Sequence, residues 1–251
     1  MSDCRLILLD LDGTLLDSRK TISSRNLAAL QKCRAKGIGI GVATARGEAT
    51  AARFTAQIEP DVLIAYSGAL VRRGGDIIYQ CPFTREESAA LVGAGVAAGR
   101  GMTVDCVHTT YANRVISFFN EPGMTYTDFA DFDECAFKIC IEGTDREFAE
   151  KTAALIEDCS WLAFSDCNWF KFSKSNVSKG SVIPYIEQAM GITKDEIVAF
   201  GDDYVDVEML AQCGVGVAMG NAVDGVRQYA DIVIGDNDSD AIADYIENNL
   251  L

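Results

Sequence analysis

The chain has 251 residues, 49% hydrophobic and 24% charged, which excludes a disordered chain, a collagen and a coiled coil and leaves room for one large domain or two unequal ones. With 22 basic residues against 37 acidic ones, the net charge of −15 argues against nucleic acid or an anionic membrane as a partner. No apolar run approaches the roughly 20 residues of a membrane helix, and the first residues lack the basic region of a signal peptide. Nine cysteines, odd in number, irregularly spaced and without a C-x-x-C pair, read as reduced thiols of a cytoplasmic protein.

In chain order, the continuous apolar run Arg5–Asp10 predicts a strand buried on both faces. A helix over Ser23–Lys36 is stopped by Gly37, and a second strand spans Ile38–Ala43. Glu48–Gln57 reads as a helix and Val62–Tyr66 as a third strand. This βαβαβ order implies a parallel sheet with right-handed crossovers. The pair Gly74-Gly75 joins two short strands over Ala69–Tyr79. The middle then changes character. It has a helix at Arg85–Ala98, strands near Met102–Val107 and Val115–Phe119, and an acidic loop through Asp133. After these come a strand at Phe137–Ile141, a helix at Arg146–Asp158, and strands near Trp161–Ser165 and Trp169–Ser173. The α/β pattern resumes with a helix at Ser181–Met190, a strand at Ile197–Phe200, a helix at Val205–Gln212 and a strand at Val215–Met219. A helix at Val223–Tyr229, a strand at Ile232–Ile234 and a terminal helix at Asp240–Leu250 complete it. The expected architecture is a Rossmann-like doubly wound parallel sheet core, residues 1–81 and 177–251, with an inserted α+β cap domain at 82–176.

Four places carry chemistry. Asp10-Leu11-Asp12-Gly13-Thr14-Leu15 stands where the first strand ends, and in a doubly wound sheet the ligand crevice lies there. One of its two carboxylates can attack while the other moves protons. Thr44, in Ala43-Thr44-Ala45-Arg46, ends the second strand and offers a hydroxyl to a phosphate oxygen or to a helix cap. Lys179, before Gly180 at the start of the predicted helix, opposes the helix dipole and so calls for an anionic neighbour. Asp202 and Asp206, in Gly201-Asp202-Asp203-Tyr204-Val205-Asp206, share a face if the turn is helical, and their hard oxygens suit Mg²⁺. Each signal has a plain alternative: a polar turn, an N-cap, a solvated lysine, dipole compensation.

In this order the four resemble the motifs of the haloacid dehalogenase-like superfamily, and within it the Cof-like phosphatases with a large cap. Asp10, Asp12, Gly13, Thr14 and Leu15 match its first motif and Thr44 its second. Lys179 with Gly180 matches the third, and Gly201, Asp202 and Asp206 the fourth. Met209 and the run Ala218-Met219-Gly220-Asn221-Ala222 are similar as well. The resemblance implies Mg²⁺-dependent hydrolysis of a small phosphomonoester, such as a sugar phosphate, through an aspartyl-phosphate on Asp10. It implies that Asp12 is general acid and base, a role that suits it if its pKa is raised, and a neighbouring carboxylate pushes that way. The implied metal set is Asp10, Asp12 through its carbonyl, Asp202 and Asp206. Thr44, Ala45, Arg46, Lys179 and Asn221 are the implied substrate contacts. The cap would choose the substrate, with His108, Arg114, Lys138 and Lys171 as candidate contacts, and the protein would be a monomer or weak homodimer. Ala45, Ser67 and Val205 stand where many relatives carry Gly, Asn and Asn.

Rival readings are a dinucleotide-binding oxidoreductase, a sugar phosphomutase on the same fold and a non-catalytic phosphate-binding homologue. The first fails on pattern, because Gly39 and Gly41 fall inside a predicted strand rather than opening a helix.

Overall fold

The computed structural model describes residues 4–116, 124–164 and 167–251. The chain forms two compact units. Met1–Arg46, Ala51–Gln80 and Ser178–Leu251 make the first; Gly47–Thr50 and Cys81–Val177 make the second.

The first unit opens with β1 (Leu6–Leu9), fully buried along its length. Burying each such side chain is worth about 1.5–3 kcal/mol, so an unbroken apolar run is most stable at the centre of a sheet. Ile7 and Leu9 pack into the core on one face, Leu6 and Leu8 into the core on the other. Helix α1 (Ser24–Ala35) begins where the Ser23 hydroxyl accepts the Asn26 N–H at 3.0 Å, and it carries Lys32 and Arg34 in its last turn. Strand β2 (Gly39–Ala43), helix α2 (Glu48–Ile58) and strand β3 (Val62–Ala65) continue the alternation. The chain then turns through Tyr66, Ser67 and Gly68, all at positive φ, into the hairpin of β4 (Leu70–Arg73) and β5 (Asp76–Gln80).

In the second unit, α3 (Arg85–Ala97) starts on a capping box between Thr84 and Glu87. Strands β6 (Met102–Asp105), β7 (Thr110–Ala112), β8 (Thr125–Tyr126) and β9 (Lys138–Glu142) follow. After helix α4 (Arg146–Ala153) come β10 (Cys159–Ala163) and β11 (Trp169–Lys174). The strands form one sheet in the order β10-β11-β9-β6-β7-β8. Alternate residues Met102, Val104, Ile139, Ile141, Phe170 and Phe172 pack with Leu91, Val92 and Ala149 from the helices. The expected helix to Asp158 stops five residues early, because the N–H groups of Leu155 and Ile156 bond three residues back and tighten the chain into turns. The strand expected near Val115–Phe119 runs beyond the described residues at 117, and Ser165, the end of another expected strand, also lies outside them.

The first unit resumes with α5 (Ile183–Met190), β12 (Ile197–Gly201), α6 (Val207–Gln212), β13 (Val215–Ala218), β14 (Ile232–Val233) and α7 (Ala241–Asn249). Its sheet has the order β14-β13-β12-β1-β2-β3-β4-β5. Strands from β14 to β3 run parallel, and the hairpin β4–β5 adds antiparallel strands at one edge. Two expected helices are corrected. Val223–Tyr229 forms only a short turn of 3₁₀ helix at Arg227–Tyr229, because Gly225 at φ 90 breaks the helical path. Helix α5 begins at Ile183 rather than Ser181. Ser178 and Ser181 close a turn by exchanging backbone-to-hydroxyl bonds of 2.9 Å, and Pro184 fits the first helical turn. Lys179 therefore does not oppose a helix dipole.

Candidate active site

Strands β12, β1 and β2 are parallel neighbours, so their C-terminal ends bring Asp202, Asp10 and Thr44 to one edge of the sheet. The turn after β1 is shaped by Gly13, at φ 84, which comes close to the Asp202 carboxylate. Thr14 donates its hydroxyl to Asp202 Oδ1 at 2.7 Å. Lys179 arrives on the loop before α5, and Gly68, at φ 109, lets that loop come into close backbone contact at Ser178.

Lys179 is completely buried and stands between two acids, with Nζ 2.5 Å from Asp10 Oδ1 and 2.5 Å from Asp206 Oδ1. The other oxygen of Asp206 accepts the backbone N–H groups of Asp202 at 3.0 Å and Asp203 at 3.1 Å. This bond, rather than a shared helical face, joins the two acids: Asp206 ends a 3₁₀ turn and Asp202 precedes it. Asp203 caps that turn by accepting the Tyr204 N–H at 2.6 Å.

Burial pushes the Asp10 carboxyl well above its ordinary range; Lys179 pulls it down, while Asp206 and Asp202 push it further up. Asp202 is raised to about 6, first by burial and then by Asp206 and Asp203, against the Thr14 hydrogen bond. Burial works against the Lys179 charge, but Asp10 and Asp206 outweigh it and hold the ammonium protonated.

Asp10, Asp202 and Asp206 each offer a carboxylate oxygen, all within 4.8 Å of one another. Three buried acids share one ammonium, so the fully ionised cluster carries two uncompensated negative charges, the charge of one divalent cation. Hard oxygens at this spacing fit Mg²⁺, with Asp10 and Asp202 the freer donors because both oxygens of Asp206 are already hydrogen-bonded.

Asp12 contradicts the sequence expectation. Burial raises its pKa, but Arg46 and Lys20 overcome that and bring it down to about 2. Arg46 grips it with Nε 2.6 Å from Oδ2 and Nη2 2.9 Å from Oδ1, and Lys20 Nζ lies 2.7 Å from Oδ1. Arg46 is thus placed on Asp12. Thr44 is buried, its hydroxyl accepting the Arg46 N–H at 3.1 Å, while Ala45 is exposed beside it. Asn221 holds the first loop, donating to the Gly13 carbonyl at 2.7 Å. Of the candidates in the second unit, Lys138 pairs with Asp105 at 2.8 Å, Arg114 pairs with Glu142, and His108 is exposed. Sequence reasoning missed Lys20 and Asn237, whose side chain donates to the Leu16 carbonyl at 2.8 Å. The only signal for Lys20 was the turn chemistry of Asp17 and Thr21 around it.

The sequence matches the haloacid dehalogenase-like hydrolase family over residues 7–246. It is 29% identical to a putative phosphatase of Haemophilus influenzae, over 97% of each chain. It is 28% identical to the pyridoxal phosphate phosphatase YbhA of Escherichia coli, over 98% of this chain and 99% of that one. A crystal structure of a haloacid dehalogenase-like hydrolase from Bacteroides thetaiotaomicron superposes with a TM-score of 0.87 at 24% identity, covering 97% of this chain and 98% of that one. The chain belongs to the haloacid dehalogenase-like hydrolases. Within them it is a phosphoric monoester hydrolase.

Proposed function

We propose that the protein is a Mg²⁺-dependent phosphatase of a small phosphomonoester, a sugar phosphate or similar metabolite, acting through Asp10. The observation that carries this reading is the buried cluster of Asp10, Asp202 and Asp206 around Lys179 at the C-terminal edge of the sheet. Asp10 and Asp202, with Asp206 and the Asp12 carbonyl, would hold Mg²⁺, which when bound offsets the repulsion between carboxylate and phosphate.

An Asp10 oxygen attacks phosphorus, the ester P–O bond breaks, and the leaving oxygen takes a proton from Asp12. Water then attacks the phosphorus of the aspartyl-phosphate, its proton passes to Asp12, and phosphate leaves with Asp10 restored. Arg46 and Lys20 hold the resting Asp12 as a carboxylate, ready for the second step. The negative charge of a bound phosphoryl group opposes those cations and allows Asp12 to carry a proton for the first. Lys179 and Thr44, with backbone amides at Asp12 and Ala45, hold the phosphoryl oxygens, and Arg46 and Asn221 keep the surrounding loops in place. The second unit, with the inserted segment 82–176, selects the leaving group. The net charge of −15 supports a protein without nucleic acid or membrane partners, and the odd, irregular set of nine cysteines, which stand as free thiols, supports a cytoplasmic location.

Phosphate release from a panel of phosphorylated metabolites with Mg²⁺ tests this reading. Release should be abolished by EDTA and by Asp10→Asn; full activity after exhaustive chelation, or in the variant, overturns it. Transfer to a second sugar position without phosphate release would instead mark a phosphomutase.

A further inference from the structure

Lys20 takes a backbone conformation that a lysine rarely adopts, φ 58 in the left-handed region. The surrounding loop enforces it. Asp17 accepts the N–H groups of Arg19 at 3.0 Å and Thr21 at 2.8 Å on one carboxylate oxygen and the Thr21 hydroxyl at 2.7 Å on the other. Its carbonyl accepts the Lys20 N–H at 2.9 Å. The same loop is tied to the C-terminal part of the unit at two further points, Leu16 to Asn237 and the Ser18 N–H to Asp238 Oδ1 at 2.7 Å. Strain kept in place by this many bonds is found where a side chain must be held in position, and this one ends on Asp12.

Arg46 alone fixes the plane of the Asp12 carboxylate. Lys20 adds a second donor to Oδ1, so Oδ1 receives two hydrogen bonds and Oδ2 only one among the described residues. We propose that Lys20 is a positioning residue for the proton-transfer step: it saturates Oδ1 and leaves Oδ2 as the oxygen that gives and takes the proton. This inference rests on the assignment of Asp12 as general acid and base. General acid–base assistance is typically worth 10²–10⁴-fold and depends on placing the carboxylate within hydrogen-bond reach of the leaving oxygen, so a loosened Asp12 forfeits part of it.

The test uses Lys20→Gly, which removes the ammonium and also relieves the left-handed backbone, so the variant is expected to fold with an undiminished Tm. Its kcat/KM is measured with Mg²⁺ on aryl phosphates from p-nitrophenyl to phenyl phosphate, because kcat/KM covers the steps through leaving-group departure. The expected result is a steeper dependence on leaving group, with about a tenfold loss on phenyl phosphate, little loss on the p-nitrophenyl ester, and recovery in Lys20→Arg. The loss of a cation beside Asp12 by itself enlarges the fraction of Asp12 that carries a proton and in that way favours leaving-group protonation, so charge and position act in opposite directions. An unchanged slope, an equal loss on every ester, or a gain on phenyl phosphate overturns the proposal. Asp12→Asn is run in parallel. If it too leaves the slope unchanged, the general-acid assignment itself has failed; if it steepens the slope while Lys20→Gly does not, only the role of Lys20 is wrong.

Discussion

Gly13 stands so close to Asp202 that a methyl group on its Cα would lie 2.8 Å from Cγ of the carboxylate and overlap Oδ2. The first and fourth motifs thus meet through the absence of a side chain. Gly13→Ala is expected to push Asp202 aside and to strain a backbone held at φ 84. Because displaced metal-site partners typically cost 10–100-fold in affinity or activity, the half-saturating Mg²⁺ concentration should rise by about tenfold or more. A Mg²⁺ titration of phosphate release checks this.

Lys179→Met should be strongly destabilising. Removing the ammonium that Asp10 and Asp206 share leaves buried charge without a partner, which typically costs about 3–5 kcal/mol. The loss should appear in a chemical melt of the metal-free protein and shrink when Mg²⁺ is added. A variant as stable as the parent in EDTA would show that the cluster is already protonated and needs no cation.

The cluster also sets a pH dependence. Asp202 titrates ordinarily at 3.8 and at about 6 in the fold. Between those values the folded chain keeps a proton that the unfolded chain has released, so metal-free stability falls as pH rises through this window. Asp12, at about 2, works the other way, and its contribution is lost only below its ordinary 3.8. In EDTA, the Tm should therefore drop more between pH 4.5 and 6.5 in the parent than in Asp202→Asn. Mg²⁺ should raise the Tm more at pH 7 than at pH 5, since the cation takes the place of the proton. Parallel curves for parent and variant would count against the assignment.

Ser67 sits at φ 58, between Tyr66 at 53 and Gly68 at 109, and its N–H is bonded to the Thr44 carbonyl at 3.0 Å. Asparagine tolerates the left-handed region better than serine. Ser67→Asn should stabilise the protein by up to about 1 kcal/mol, a Tm rise of about 2–4 °C for a chain of this size. Activity should be unchanged, because the backbone bond to Thr44 is kept.

The parts of this protein legible in the sequence are those fixed by local pattern. Unbroken apolar runs such as Leu6–Leu9 become central strands, and the helical spacing stopped by Gly37 becomes α1. The acids at 10, 202 and 206 were legible because strand ends of a parallel sheet converge on one edge. The state of Asp12 was not. It depends on Arg46 and Lys20, whose side chains reach it from separate loops, and no periodicity connects them. The neighbouring carboxylate was visible; the cations that outweigh it were not. For Lys179, the helix start was read two residues too early, at Ser181, whose hydroxyl instead closes a turn with Ser178.

Strand β1 lies between β2, which follows it after one helix, and β12, whose pairing with it joins Leu6 to Ile197. During synthesis, β1 must therefore wait with one edge open while the whole second unit emerges. Parallel pairing over such a separation is slow, and an unpaired apolar edge is a template for other chains. Asp10 lacks its lysine until Lys179 emerges, and Asp202 and Asp206 are made only after that. Catalytic competence is thus among the last properties the growing chain acquires, and a ribosome that stops before Gly201 releases an aggregation-prone fragment rather than a weakened enzyme.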